Sequence, residues 1–206
     1  MVGGKRLLDS SLPSTEEEVP SPRQERRKTM TNQGDLLSLM QRLQALGDRY
    51  KVGDLLDLFN DDAQFQVMDH STLIGKEAIR QVFEYDAAAN TELRFINLLP
   101  HGDGLTCQMI ARNDRLKAMG IDEVFYRSCT ISLKEGRIQT FVASVEEKTS
   151  RRIKERVEAF VAWLAREHPA EFSRLCTPEG NLIYTAANGR ECVSLIKEWW
   201  SGVKKG

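Results

Sequence analysis

A chain of 206 residues is longer than most single domains, so one core with appendages is expected. Its 29 Lys and Arg residues stand against 30 Asp and Glu residues for a net charge of −1, which excludes a global field drawing it to nucleic acid or anionic lipid. No apolar run approaches the roughly 20 residues that span a bilayer, and the four cysteines have neither metal-site pairing nor disulfide-scaffold density. A soluble, cytoplasmic protein with reduced thiols is expected.

Residues 1–32 are rich in Ser, Pro, Glu, Lys and Arg and nearly lack aliphatic side chains after Leu12. Such a stretch cannot offset its ordering entropy, which predicts a disordered leader. Leu36, Leu37, Met40 and Leu43 then recur at helical spacing and predict a helix ending near Gly47. A short second helix is expected over 52–60, closed by the turn residues Asn60-Asp61-Asp62. Alternation over 63–69 predicts a half-buried strand with Phe65, Val67 and Asp69 on one face. A third helix, over 76–89, turns Ile79, Val82 and Phe83 inward.

Beyond Asn90 the period becomes alternating, with strands expected at 92–99, 105–112, 123–133 and 137–145. Pro100-His101-Gly102-Asp103-Gly104 and Lys134-Glu135-Gly136 supply hairpin turns, while 113–122 is a longer rim connection. Strict alternation on the penultimate strand puts Phe125, Arg127, Cys129, Ile131 and Leu133 on the more apolar face, with Tyr126, Ser128, Thr130 and Ser132 opposite. Next, Ile153, Val157, Phe160, Val161 and Leu164 form an amphipathic helix that stops at His168-Pro169. Asn188-Gly189-Arg190-Glu191 has the spacing of a capping box, ahead of a final helix carrying Cys192, Leu195, Ile196 and Trp199. Helices first and consecutive strands afterwards predict an α+β domain over 33–147, its helices covering one face of a bent sheet, with a helical extension over 148–206.

Three segments, Val52-Gly53-Asp54-Leu55-Leu56-Asp57-Leu58-Phe59-Asn60-Asp61-Asp62-Ala63, Ile74-Gly75-Lys76-Glu77-Ala78-Ile79-Arg80 and Gly136-Arg137-Ile138-Gln139, resemble the nuclear transport factor 2-like, or SnoaL-like, superfamily. The resemblance spans about half the chain. It implies a cone-shaped fold, a curved antiparallel or mixed sheet wrapped around N-terminal helices, with a cavity between them and often a homodimer through the sheet's outer face. The C-terminal helices resemble an extension found on some bacterial members. Members include polyketide cyclases, ketosteroid isomerases and limonene epoxide hydrolases, and fold alone does not choose among them. Where ketosteroid isomerases carry their catalytic groups this chain has Val67, Leu43 and Cys129, and the late-strand aspartate of the epoxide hydrolases falls near Ala143. Neither chemistry is expected.

The expected pocket is lined by Phe65, Val67, Phe83, Phe125, Cys129, Ile131 and Phe141 and takes a small hydrophobic ligand. As an enzyme the protein would be a cofactor-free isomerase, cyclase or dehydratase, with Asp69 as base and Arg127 stabilising developing negative charge. Asp69 is either a desolvated carboxylate at the cavity mouth or the start of a solvated turn. Arg127 is either a ligand anchor or half of an ion pair. Cys129 reads as a packed thiol, since no histidine is placed to activate it. His70, His101 and His168 offer no metal-ligand spacing, so neither metal nor cofactor is expected. Trp163, Trp199 and Trp200 read as packing residues; alternatively the extension lids the cone, and Tyr184 or Trp200 meets the ligand. The second functional reading is a non-catalytic dimeric interaction module. No phosphate-binding loop, nucleophile elbow or aromatic-interleaved basic patch occurs, so nucleotide and nucleic-acid partners are not expected.

Overall fold

The computed structural model describes residues 22–49, 51–68 and 71–203, with side chains from residue 34 onward. Helix α1 (Pro22–Gly47) buries Leu36, Leu39, Met40 and Leu43, an i, i+3, i+4, i+7 set. Leu37, expected on that stripe, points away and is 43% exposed. The helix starts inside the stretch expected to lack regular structure, and residues 1–21 lie outside the described ones. Then come α2 (Val52–Leu56), β1 (Phe59–Val67), β2 (Leu73–Ile74) and α3 (Lys76–Ala88). Strands β3 (Glu92–His101) and β4 (Gly104–Arg112), helix α4 (Asp114–Ala118), and strands β5 (Val124–Lys134) and β6 (Arg137–Val145) complete the domain. The C-terminal extension is α5 (Glu147–Glu167), α6 (Pro169–Leu175) and α7 (Ala186–Val203).

The six strands form one curved, open sheet in the order β2-β1-β6-β5-β4-β3, all neighbours antiparallel except the parallel pair β1–β6. The α+β architecture with helices on one face of a bent sheet is the expected one. Helix α1 packs against β3 and α3 against β1, while α7 lies across α3 and α4. The long rim connection after β4 holds a short helix, α4. Asn113 caps that helix, its Oδ1 accepting from the Leu116 amide at 2.7 Å. The β5–β6 hairpin turns on Glu135-Gly136, both at positive φ (54° and 75°), between the paired residues Lys134 and Arg137. Such a two-residue turn matches the twist of its strands.

Strand β5 departs from strict alternation. Against β4, Cys107 faces Cys129 but Met109 faces Tyr126; against β6, Ser144 faces Ser128 but Val145 faces Tyr126. Both registers place one extra residue in β5 at Arg127-Ser128, a β-bulge that reverses the facing of everything before it. Cys129 and Ile131 therefore point inward as expected, but so does Tyr126, whereas Phe125 is 42% exposed and Arg127 lies outside, paired with Glu146. The expectation that Phe125 and Arg127 share the inner face is thus corrected by one inserted residue. An exposed pair of this kind contributes little. Arg127→Ala should shift the melting temperature by less than about 2 °C in differential scanning calorimetry; a larger loss would mean that the guanidinium packs against the sheet.

The capping residue of α7 is Thr185, not Asn188: its Oγ1 accepts from the Asn188 amide at 3.2 Å. Asn188 lies within the first turn and donates from Nδ2 to the Ile183 carbonyl at 3.0 Å, which holds the preceding segment against the helix.

Candidate functional site

Between α3 and the inner face of the sheet lies a largely apolar cavity of about 330 Å³. Phe65 and Phe141, neighbours across the parallel β1–β6 pair, stack with ring centroids 5.0 Å apart, and Phe83 of α3 meets Phe65 edge-on at 5.6 Å. Of the residues expected to line the pocket, the structure brings Phe65, Val67, Phe83 and Phe141 to it. Cys129 and Ile131 are buried in the core beside it without reaching it, and Phe125 is on the far face. A second, smaller chamber of about 60 Å³ lies toward α1 and α2, sharing Phe65, Phe83 and Phe141 with the first, and Leu43, Val52, Leu55 and Phe95 help to line it. Asp69 and His70 lie outside the described residues.

Two charged residues that sequence reasoning missed face the cavity. Asp86 follows Ile79, Val82 and Phe83 on the inward stripe of α3 and lines both chambers. The end of α3 fixes it. Asn90 takes a left-handed conformation (φ 52°); its amide donates to the Ala87 carbonyl at 3.2 Å and the Thr91 amide donates to the Asp86 carbonyl at 2.9 Å. This Schellman turn folds the Thr91 side chain back, and its Oγ1 donates to Asp86 Oδ1 at 3.1 Å. Burial pushes the Asp86 carboxyl up to about 6, with the nearby Arg115 and the Thr91 hydrogen bond pulling the other way.

Arg115 is delivered by α4, which is tied to the same helix end. The Asp114 amide donates to the Ala89 carbonyl at 2.9 Å, and Asn90 Nδ2 donates to Asp114 Oδ2 at 2.7 Å. The Arg115 guanidinium lies over the Tyr85 ring, 5.7 Å from its centroid. Its Nε is buried without a hydrogen-bond partner, and no described residue forms an ion pair with it. Tyr126 of β5 lines the same end, its hydroxyl held protonated well above the ordinary tyrosine range by burial and then by the field of Asp86.

The C-terminal extension completes the wall: Ile153, Asn181 and Tyr184 line the cavity, and the Tyr184 ring meets Tyr85 edge-on at 4.8 Å. Trp200 does not reach it; its ring packs under Arg156, 4.6 Å from ring centroid to guanidinium. All four cysteines are buried and free. Among the described residues no cluster of His, Cys, Asp and Glu could hold a metal, and no helix is long and apolar enough to cross a membrane.

No protein-family model matches this chain, and no curated protein does. Solved structures of similar backbone course include the epoxide hydrolase/cyclase-like enzyme SalBIII of pyran ring formation in polyether salinomycin (15% identical over 60% of this chain and 96% of that one, TM-score 0.48). Others are Bal32a from a soil-derived mobile gene cassette (15%, 56% and 92%, 0.48) and a de novo designed protein with a curved β-sheet (8%, 61% and 97%, 0.44). At these identities no residue's role passes from one chain to another.

Proposed function

We propose that this chain binds a small, largely apolar molecule between α3 and the sheet and moves a proton on it without a cofactor, Asp86 serving as the base. Isomerisation, cyclisation and dehydration are the reactions that such a group performs. The observation that carries the reading is a carboxylate of near-neutral proton affinity, aimed into an apolar cavity and steadied by Thr91. A base of this kind is partly ionised at working pH and keeps enough proton affinity to abstract from carbon. Arg115 supplies positive charge at the end where negative charge would develop. In this reading Asp86 and Arg115 take the roles that the sequence suggests for Asp69, which lies outside the described residues, and for Arg127, which is exposed and paired with Glu146.

Nitrobenzisoxazole tests this without knowledge of the natural substrate. Its ring C–H proton passes to a carboxylate, the N–O bond breaks, and a coloured cyanophenolate is released. The protein should accelerate this opening over free acetate, with a rate that rises with pH through about 6. Asp86→Asn should lower the rate about a hundredfold, and Asp69→Asn should leave it unchanged. Loss in Asp69→Asn alone would return the role to Asp69, and no acceleration by the folded protein would overturn the enzymatic reading.

A second reading, association of two copies through the outer face of the sheet, is supported by Phe125 and Val142, which stand 42% and 41% exposed there. Light scattering of the protein and of Phe125→Glu would show a dimer that the substitution dissociates, or else a monomer throughout.

A further inference from the structure

The cavity holds a cation that no described wall residue meets in an ion pair. Arg115 is half-buried, its Nε is shut in and meets no acceptor, and Asp86, the carboxylate nearest to it in the cavity, stays beyond ion-pair distance and is bonded to Thr91 instead. A guanidinium partly withdrawn from water with its hydrogen-bond donors unpaired is costly, so a site that keeps one is suited to receive an anion. The Tyr85 ring fixes the guanidinium plane from one face, leaving its edge as a planar fork of N–H donors. The remaining wall here is mostly apolar, including Leu93, Met109 and Val124.

From this juxtaposition we infer that the natural ligand is a monoanion, an apolar body ending in a single carboxylate that Arg115 grips through its terminal nitrogens. One guanidinium matches one negative charge. A dianionic phosphate would leave a charge uncompensated beside Asp86, and a neutral ligand would leave the fork unpaired. Seated this way, the carboxylate anchors one end of the molecule and presents its carbon skeleton to Asp86. The inference rests on the cavity reading above and names its substrate class.

The test is isothermal titration of the wild-type protein with phenylbutanoate and with phenylbutanamide, which have the same shape and differ in charge. The acid should bind about tenfold or more tighter, the usual worth of a charge-assisted hydrogen-bonded pair. Arg115→Met should erase that preference while leaving the amide's affinity within about threefold, and Arg115→Lys, which keeps the charge but loses the fork, should retain part of it. Asp86→Asn should preserve or increase it. Equal affinity of the wild-type protein for acid and amide would overturn the anion anchor and leave the cavity reading standing. Binding of neither, with the protein folded by circular dichroism, would overturn both. Because the acid–amide comparison uses the wild-type chain, it does not depend on any variant folding.

Discussion

Replacing Gly189 by alanine is expected to lower the melting temperature by about 3 to 10 °C, the opposite of what helix propensity alone dictates. Alanine within a helix is worth up to about 1 kcal/mol over glycine. At this position, however, α7 crosses α3 so closely that a methyl group would lie 2.8 Å from the Tyr85 carbonyl oxygen and 3.0 Å from the Ala88 Cβ. The first of these is main chain and cannot swing aside, so the helices must part. Overpacking of this kind costs about 1–3 kcal/mol. Parting also draws α7 and the segment before it away from Tyr85, so phenylbutanoate binding should weaken together with stability. Calorimetry of the variant gives the sign; an unchanged or raised melting temperature would mean that the crossing is looser than described.

The second large effect is a pH-dependent gain. Asp86→Asn should stabilise the protein by up to about 3 kcal/mol at about pH 8 and by almost nothing at about pH 4. In the unfolded chain this carboxyl titrates at about its ordinary value of 3.8, and in the folded protein at about 6. Between these values the folded state holds a proton that the unfolded state has released, so stability falls as pH rises through the window and stays lower above it. Asparagine escapes this penalty because it has no charge to desolvate, and its side-chain oxygen can still accept from Thr91. Urea unfolding of both proteins at the two pH values measures the difference. A loss of stability at high pH would mark Asp86 as a structural partner and would remove the desolvated base on which the proposed chemistry depends.

Much of the architecture could be read from residue periodicity. The stripe at Ile79, Val82 and Phe83, the hairpin glycine at Gly136 and the aromatic pair Phe65 and Phe141 all point where alternation and helical spacing place them. The errors are instructive. A β-bulge leaves no local mark in Tyr126-Arg127-Ser128, because it is set by the registers of two neighbouring strands; one unseen residue exchanged Tyr126 for Phe125 on the inner face and sent Arg127 to solvent. Asp86 was legible in principle, being the next position on the inward stripe of α3, and a polar residue on an apolar face is the informative kind. Arg115 was not. Its place in the cavity wall depends on the Asn90–Asp114 bond and on the docking of the C-terminal extension, contacts between segments distant in sequence.

The central position of β6 bears on how the protein is made. It lies between β1 and β5 and pairs with both, yet it is the last strand in the chain. Until Val145 has emerged from the ribosome, the β1–β2 ribbon and the β3–β4–β5 meander are separate fragments, each with a bare edge that β6 will later cover. Closure therefore joins residues near 65 to residues near 141, a long loop to close, and slow folding of this non-local kind is expected. A nascent chain stalled before that point would carry adhesive strand edges and an unfilled apolar face, the features that recruit chaperones and seed aggregates.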